Sequence, residues 1–285
     1  MTVINTNVKA LYTQSALKIS GRENSVAMEQ LSTGKRINGA KDDAAGLAIS
    51  SRMTQQIKSM NQAIRNAGDA ISMIQTAEGA TNGITDMLQR MSEISIQAAN
   101  ATYSNDQRGF LNTEFQQLKE EIKRISETHE WNGFQILRGK DGANADKLNL
   151  NFQVGPNSNH VITIDLPNFG ANGDITDGVT SVAADSKIDT VANANTAIAA
   201  ITMALDKVSN TRSLMGAVMN RLEHVMDNLT NVSMNAEASR SQIQDADYAS
   251  ASTELARTQI MQQAATAILA QANTSQQTVL KLLQG

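Results

Sequence analysis

The apolar positions at both ends of the chain fall on helical stripes, and those stripes carry almost no charge. From Thr258 onward, Met261, Ala265, Ile268, Ala272, Gln276, Val279 and Leu283 recur at steps of four and three, which places them on one helix face. The other faces hold Gln, Asn, Thr, Ser and Ala, and Lys281 is the only charged side chain after Arg257. At the other end Val3, Ala10 and Leu17 share a stripe, with Ile4, Val8 and Leu11 beside it. Only Lys9 and Lys18 add charge there. A helix standing alone in water keeps a charged face. Both ends therefore read as helices that pair with each other and then with further molecules.

Between the ends the stripes predict long helices around a short β segment. A first helix runs from near Asn5 to about Leu31, and Gly34, Asn38 and Gly39 interrupt it. Asp42 or Asp43 is placed to cap the next helix. That helix carries Met53, Ile57, Met60, Ile64, Ala67, Ile71 and Ile74, slips phase at Glu78, and resumes through Ala77, Thr81, Ile84, Leu88, Met91, Ile94 and Ala98. Extending from Asp43 to Asn100, it would be roughly 85 Å long, which predicts a rod. A turn at Thr102 to Asn105 leads into a stripe of Leu111, Phe115, Leu118, Ile122 and Ile125, which Asn132-Gly133 closes before an irregular segment.

The period then changes to two. Leu148, Leu150, Phe152 and Val154 alternate, Gly155-Pro156-Asn157-Ser158-Asn159 turns, and Ile162, Ile164 and Leu166 alternate on the return: a β-hairpin over about 148–166. A polar surface loop follows over about 168–188. Helical spacing returns with Val191, Ile198, Ile201, Leu205 and Val208, and continues through Met215, Met219, Leu222, Met226 and Leu229 to Ala236. The expected fold is mainly α: a long antiparallel helical rod and a terminal coiled coil, with a small β-hairpin region in the middle of the chain.

Composition narrows the function. Aromatics make up 3% and there are 2 prolines, so Ala, Ile, Leu and Met must fill a narrow helical core. A net charge of −4 gives no reason to expect nucleic acid. No run approaches the roughly 20 apolar residues of a membrane span. The absence of cysteine excludes disulfides and thiolate metal sites. The N-terminus lacks the pattern of a cleavable secretory signal. That alone reads as a cytosolic protein unless export takes another route.

Catalytic motifs fail on their chemistry. His129-Glu130 opens like a zinc-protease motif, but Gly133 stands where the second histidine must share the metal. Gly34-Lys35 lacks the first glycine and the Ser/Thr of a phosphate loop. Asp174 and Asp177 lack EF-hand spacing. N-glycosylation sequons begin at Asn100, Asn228 and Asn231, the last two within predicted helix. No cofactor, metal or catalytic residue is expected, and the reading is a protein that is not an enzyme.

The segments LSTGKRINGAKDDAAGLAISSRM and QAIRNAGDAISMIQTAEGA near the start, and RSQIQDADYASASTELARTQIMQQAATAILAQAN with the final VLKLL, closely resemble bacterial flagellin. The resemblance covers well over half the chain and is weakest from about 139 to 190. It implies a minimal form without large outer domains. Residues 1–43 and 242–285 would form a coiled-coil filament core, and residues 44–241 a rod domain. The residues expected to build that core are Val3, Ile4, Val8, Leu11, Leu17, Met261, Ile268, Leu269, Val279, Leu280 and Leu283. The family also implies termini that order on polymerisation, export through the flagellar type III channel, and an extracellular filament. Implied partners are further copies of the chain, an export chaperone, and the filament cap and hook–filament junction proteins. In receptor-activating flagellins a rod face binds Toll-like receptor 5, and the matching positions here are Arg90, Ile94 and Glu114. A hook–filament junction protein and a cytosolic coiled-coil scaffold are the competing readings.

Overall fold

A computed structural model describes residues 6–138, 147–167, 169 and 187–284, with side chains described for 6–138, 149–167, 169 and 187–274. In chain order the elements are α1 (Val8–Thr33), α2 (Ala44–Ala99), α3 (Asn105–Thr128), β1 (Glu130–Trp131), β2 (Phe134–Gln135), β3 (Lys147–Gln153), β4 (Val161–Pro167), α4 (Val191–Gln244) and α5 (Tyr248–Gln284). The mainly helical fold with a small antiparallel β region is as the stripes predict. Val3 and Ile4 lie outside the described residues, as does most of the expected loop over 168–188. Val279, Leu280 and Leu283 lie outside the described side chains.

The helix boundaries have local causes. Asn7 caps α1 by accepting from the amide of Ala10, and Gly34 ends it at φ 69°. Asp43 Oδ1 accepts from the amide of Gly46 at 2.8 Å at the start of α2, as expected of a cap. Ser104 and Gln107 form a reciprocal capping box on α3. α3 ends at Thr128 with His129 as its cap, before Asn132-Gly133, which were expected to close it. Asn132 and Gly133 have positive φ (49° and 81°), so they make a two-residue turn that pairs β1 with β2. Asn-Gly between apolar residues is a strong hairpin signal, and the expectation of an irregular segment undervalued it. The second hairpin pairs Leu148 with Leu166 and Phe152 with Ile162, within the range read from the alternation.

The chain divides into two compact units, Met1–Ile57 with Met234–Gly285, and Lys58–Ser233. In the second unit, α2, α3, α4 and both hairpins share one core. Its α2 stripe corrects the expected phase slip. The buried positions run unbroken through Ala63, Ala67, Ala70, Ile74, Ala77, Thr81, Ile84, Leu88, Met91, Ser95 and Ala98. Alanines hold the seam where Ile64 and Ile71 were expected, and those isoleucines are only half-buried beside it. α4 behaves alike, with Ala194, Ala197, Ile201, Ala204 and Val208 buried while Ile198 and Leu205 flank them. Small side chains on the contact line let helix backbones approach closely, with the larger ones packing at the sides.

Candidate assembly surface

In the first unit α1 and α5 run antiparallel. Their register is fixed by polar contacts: Asn7 Nδ2 donates to the carbonyl of Ala272 (3.2 Å), Ser20 Oγ to that of Thr258 (3.2 Å), and Asn24 Nδ2 to Thr258 Oγ1 (3.1 Å). Arg257 stands 4.0 Å from Glu23. At the open end of the pair Lys35 bridges Asp245 in strand fashion, the amide of Arg36 donates to Gln244 and that of Ala246 to Gly34. The buried line on α5 is Ala251, Thr258, Ala265 and Ala272, one residue per heptad, against Ser20 and Ala27 of α1.

So narrow a seam leaves apolar side chains outside. Met261 and Ile268 are 55% and 58% exposed, although the stripe placed them at the helix contact. Leu269, on the adjacent face, is half-buried instead, as is Leu17. Val8 and Leu11 are exposed, and so are Tyr12, Ile19, Val26, Met28 and Ile260. The stripe read from the sequence held both sets of residues, and the seam takes its small members, Ala265 and Ala272, and leaves out Met261 and Ile268. The sequence reading also passed over Ser20, Asn24 and Thr258, because a polar residue carries no weight in an apolar stripe.

In the second unit Arg90 links α2 to α3. Its Nε donates to Glu114 Oε1 (2.9 Å), its Nη2 lies 2.8 Å from the same oxygen, and its Nη1 is 3.0 Å from Glu93. The hydrogen bond to Glu114, more than any other contact, raises the guanidinium above its ordinary pKa. Arg90 and Glu114 are about half exposed (52% and 45%). Ile94 is 0% exposed. That overturns its expected place on a receptor-facing surface: its side chain fills the core, where Ser95 and Met91 continue the same seam. Among the described residues no group of three or more His, Cys, Asp or Glu is placed to hold a metal, and no helix is long and apolar enough to cross a membrane.

The bacterial flagellin N-terminal helical region matches residues 4–141, and its C-terminal helical region matches residues 198–283. A flagellin of Halalkalibacterium halodurans is 44% identical, over 99% of this chain and 100% of that protein. The chain belongs to the flagellin family. A flagellar filament 33 kDa core protein of Treponema phagedenis is 37% identical over 99% of the chain and 100% of its own length. The Bacillus cereus flagellin structure, 27% identical, covers 58% of this chain and 88% of that one with a TM-score of 0.48. As a flagellin the chain is a structural subunit of the flagellar filament, and self-association is its business.

Proposed function

We propose that this flagellin polymerises through the outer faces of α1 and α5, with residues 1–43 and 242–285 forming the filament core and residues 44–241 the surrounding domain. The observation that carries the reading is the row of exposed Leu11, Ile19, Met28, Ile260, Met261 and Ile268 on a helix pair whose own seam is closed by small residues. Covering each such side chain contributes roughly 1.5–3 kcal/mol, so a handful per subunit offsets the entropy of ordering the ends. Val3, Ile4, Val279, Leu280 and Leu283 extend the same stripes in sequence. The subunit leaves the cell through the type III flagellar channel with an export chaperone on its C-terminal segment. It is then inserted under a filament cap above the hook–filament junction proteins. Met261→Glu with Ile268→Glu tests the reading, because both side chains are exposed and the subunit should fold normally. The expected result is soluble helical monomer and no sedimentable filament. Normal filaments would refute it.

A second reading concerns the ion-paired surface at Arg90. Arg90 and Glu114 are solvent-accessible on adjacent helices and held in one orientation, as a recognition pair for Toll-like receptor 5 would need. Ile94 has no part in that contact. Arg90→Ala should weaken binding of monomer to the receptor ectodomain by roughly 2 kcal/mol, while a conservative Ile94→Val should leave it unchanged. An unchanged titration curve for Arg90→Ala removes the assignment.

A further inference from the structure

One groove in the second unit gathers polar side chains away from the α1–α5 pair. It is an open surface groove of about 660 Å³ between the β3–β4 turn and α4, rimmed by exposed polar side chains. His160 enters from the start of β4, and Arg221 and His224 from α4. Among the described residues these three side chains make no hydrogen bond or ion pair. They are also the only titratable groups that line the groove, since Glu223 and Asp227 on the same helix do not reach it. The position of His160 is tightly set. Its amide donates to Asn157 and its carbonyl accepts from Val154. Its ring lies so close over Gly155 that a Cβ there would come within 2.6 Å of Nδ1.

An unpaired guanidinium is a planar donor fork matched to a carboxylate, and two imidazoles beside it add donors that strengthen on protonation. Asn220 and Asn228 sit one turn either side of His224 and bring free amides suited to hydroxyl groups. The floor, with Pro156 and Val225, is apolar. We propose that this groove binds a small carboxylated sugar of the uronic-acid type: carboxylate on Arg221, hydroxyls on the asparagine amides and imidazoles, and the ring's CH face on the floor. The inference stands apart from the polymerisation reading, because every residue it uses lies in the second unit.

The chain has only three histidines, so imidazole ring-proton NMR reads the site with an internal control. Dilute full-length monomer is titrated with sodium glucuronate, against glucose and against sodium chloride at equal ionic strength. The expected result is a saturable movement of the His160 and His224 signals with glucuronate only, while His129 stays fixed. Arg221→Gln, an exposed substitution, should weaken the half-saturation point at least tenfold. Unsaturable drift, equal movement of all three histidines, or an unaltered Arg221→Gln titration overturns the proposal. Movement of the two signals on concentrating the protein without glucuronate also overturns it, by assigning the groove to an acidic group of a second copy.

Discussion

Arg108 is the most heavily committed charged side chain in the second unit, and removing it should unlock the corner between α2 and α3. It is 7% exposed, and its guanidinium donates to the carbonyls of Ala98 (2.8 Å) and Asn100 (3.1 Å) and to Asn105 Oδ1 (3.1 Å). The two carbonyls belong to the end of α2, where the last turn has no helical donors and the helix dipole favours a cation. Arg108→Met keeps the aliphatic stem and deletes the donors. Water reaches the exposed Asn100 and replaces that bond at little cost, but Ala98 is fully buried. Leaving its acceptor unpaired costs about 1–3 kcal/mol, and losing the favourable dipole term about 0.5–1 more. The expected loss is therefore about 2–4 kcal/mol. Trp131, the sole tryptophan, packs against the same core and reports on this unit by fluorescence. With a urea slope of about 2 kcal/mol/M the unfolding midpoint should fall by about 1–2 M. A shift below about 0.25 M would show that water satisfies the corner as well as arginine does.

Other expectations follow from the same contacts. Ala77→Leu places three extra heavy atoms on the fully buried α2 seam and should cost about 1–3 kcal/mol by the same fluorescence midpoint. Gly46→Ala would put a Cβ 2.5 Å from Asp43 Oδ2 and 2.6 Å from Ile37 Cδ1. It should therefore lose the α2 cap, about 1 kcal/mol or more, seen as faster amide exchange over the first turn of α2. The carboxyl of Glu121 is held below its usual range by the hydrogen bond from Arg124, so its folded pKa is depressed. Whatever it adds to stability is present above the ordinary glutamate pKa and lost as pH falls through the folded value. Glu121→Gln should therefore lower the urea midpoint slightly at pH 7 and not at all in strong acid, with salt reducing the difference.

The helices and the larger hairpin were legible because their signals are periodic and local. Stripes at three and four, alternation across Leu148 to Leu166, and an Asp before Ala44 each report on neighbours in sequence. Which member of a stripe faces its partner is a tertiary fact. Ile64, Ile71 and Ile198 looked like seam residues by hydrophobicity, yet backbone approach gives the centre of the contact to Ala63, Ala70 and Ala197 and moves the larger side chains to its edges. The same preference put Met261 and Ile268 outside the α1–α5 contact, whereas Ile94 is buried as the α2 stripe itself indicated. The polar ties of Ser20, Asn24 and Arg108 join residues through space or to backbone carbonyls, so no residue pattern announces them.

The α1–α5 contact has the form of a vernier. Ala251, Thr258, Ala265 and Ala272 recur every seven residues, so sliding α5 along α1 by one heptad, about 10 Å, would set nearly the same small side chains against the same partner. Packing alone scarcely distinguishes those alignments. Three things do: Asn7 on Ala272, Ser20 and Asn24 on Thr258, and the strand bridge from Lys35 to Asp245 that pins the end of the track. A load pulling the two ends of the chain past each other thus meets an indexed ratchet whose detents are a few hydrogen bonds. Thr258→Ala would take Asn24 out of the middle tooth and leave only the bond of Ser20 to the backbone carbonyl, so a helix pair of nearly unchanged burial would be held in register by a shallower detent.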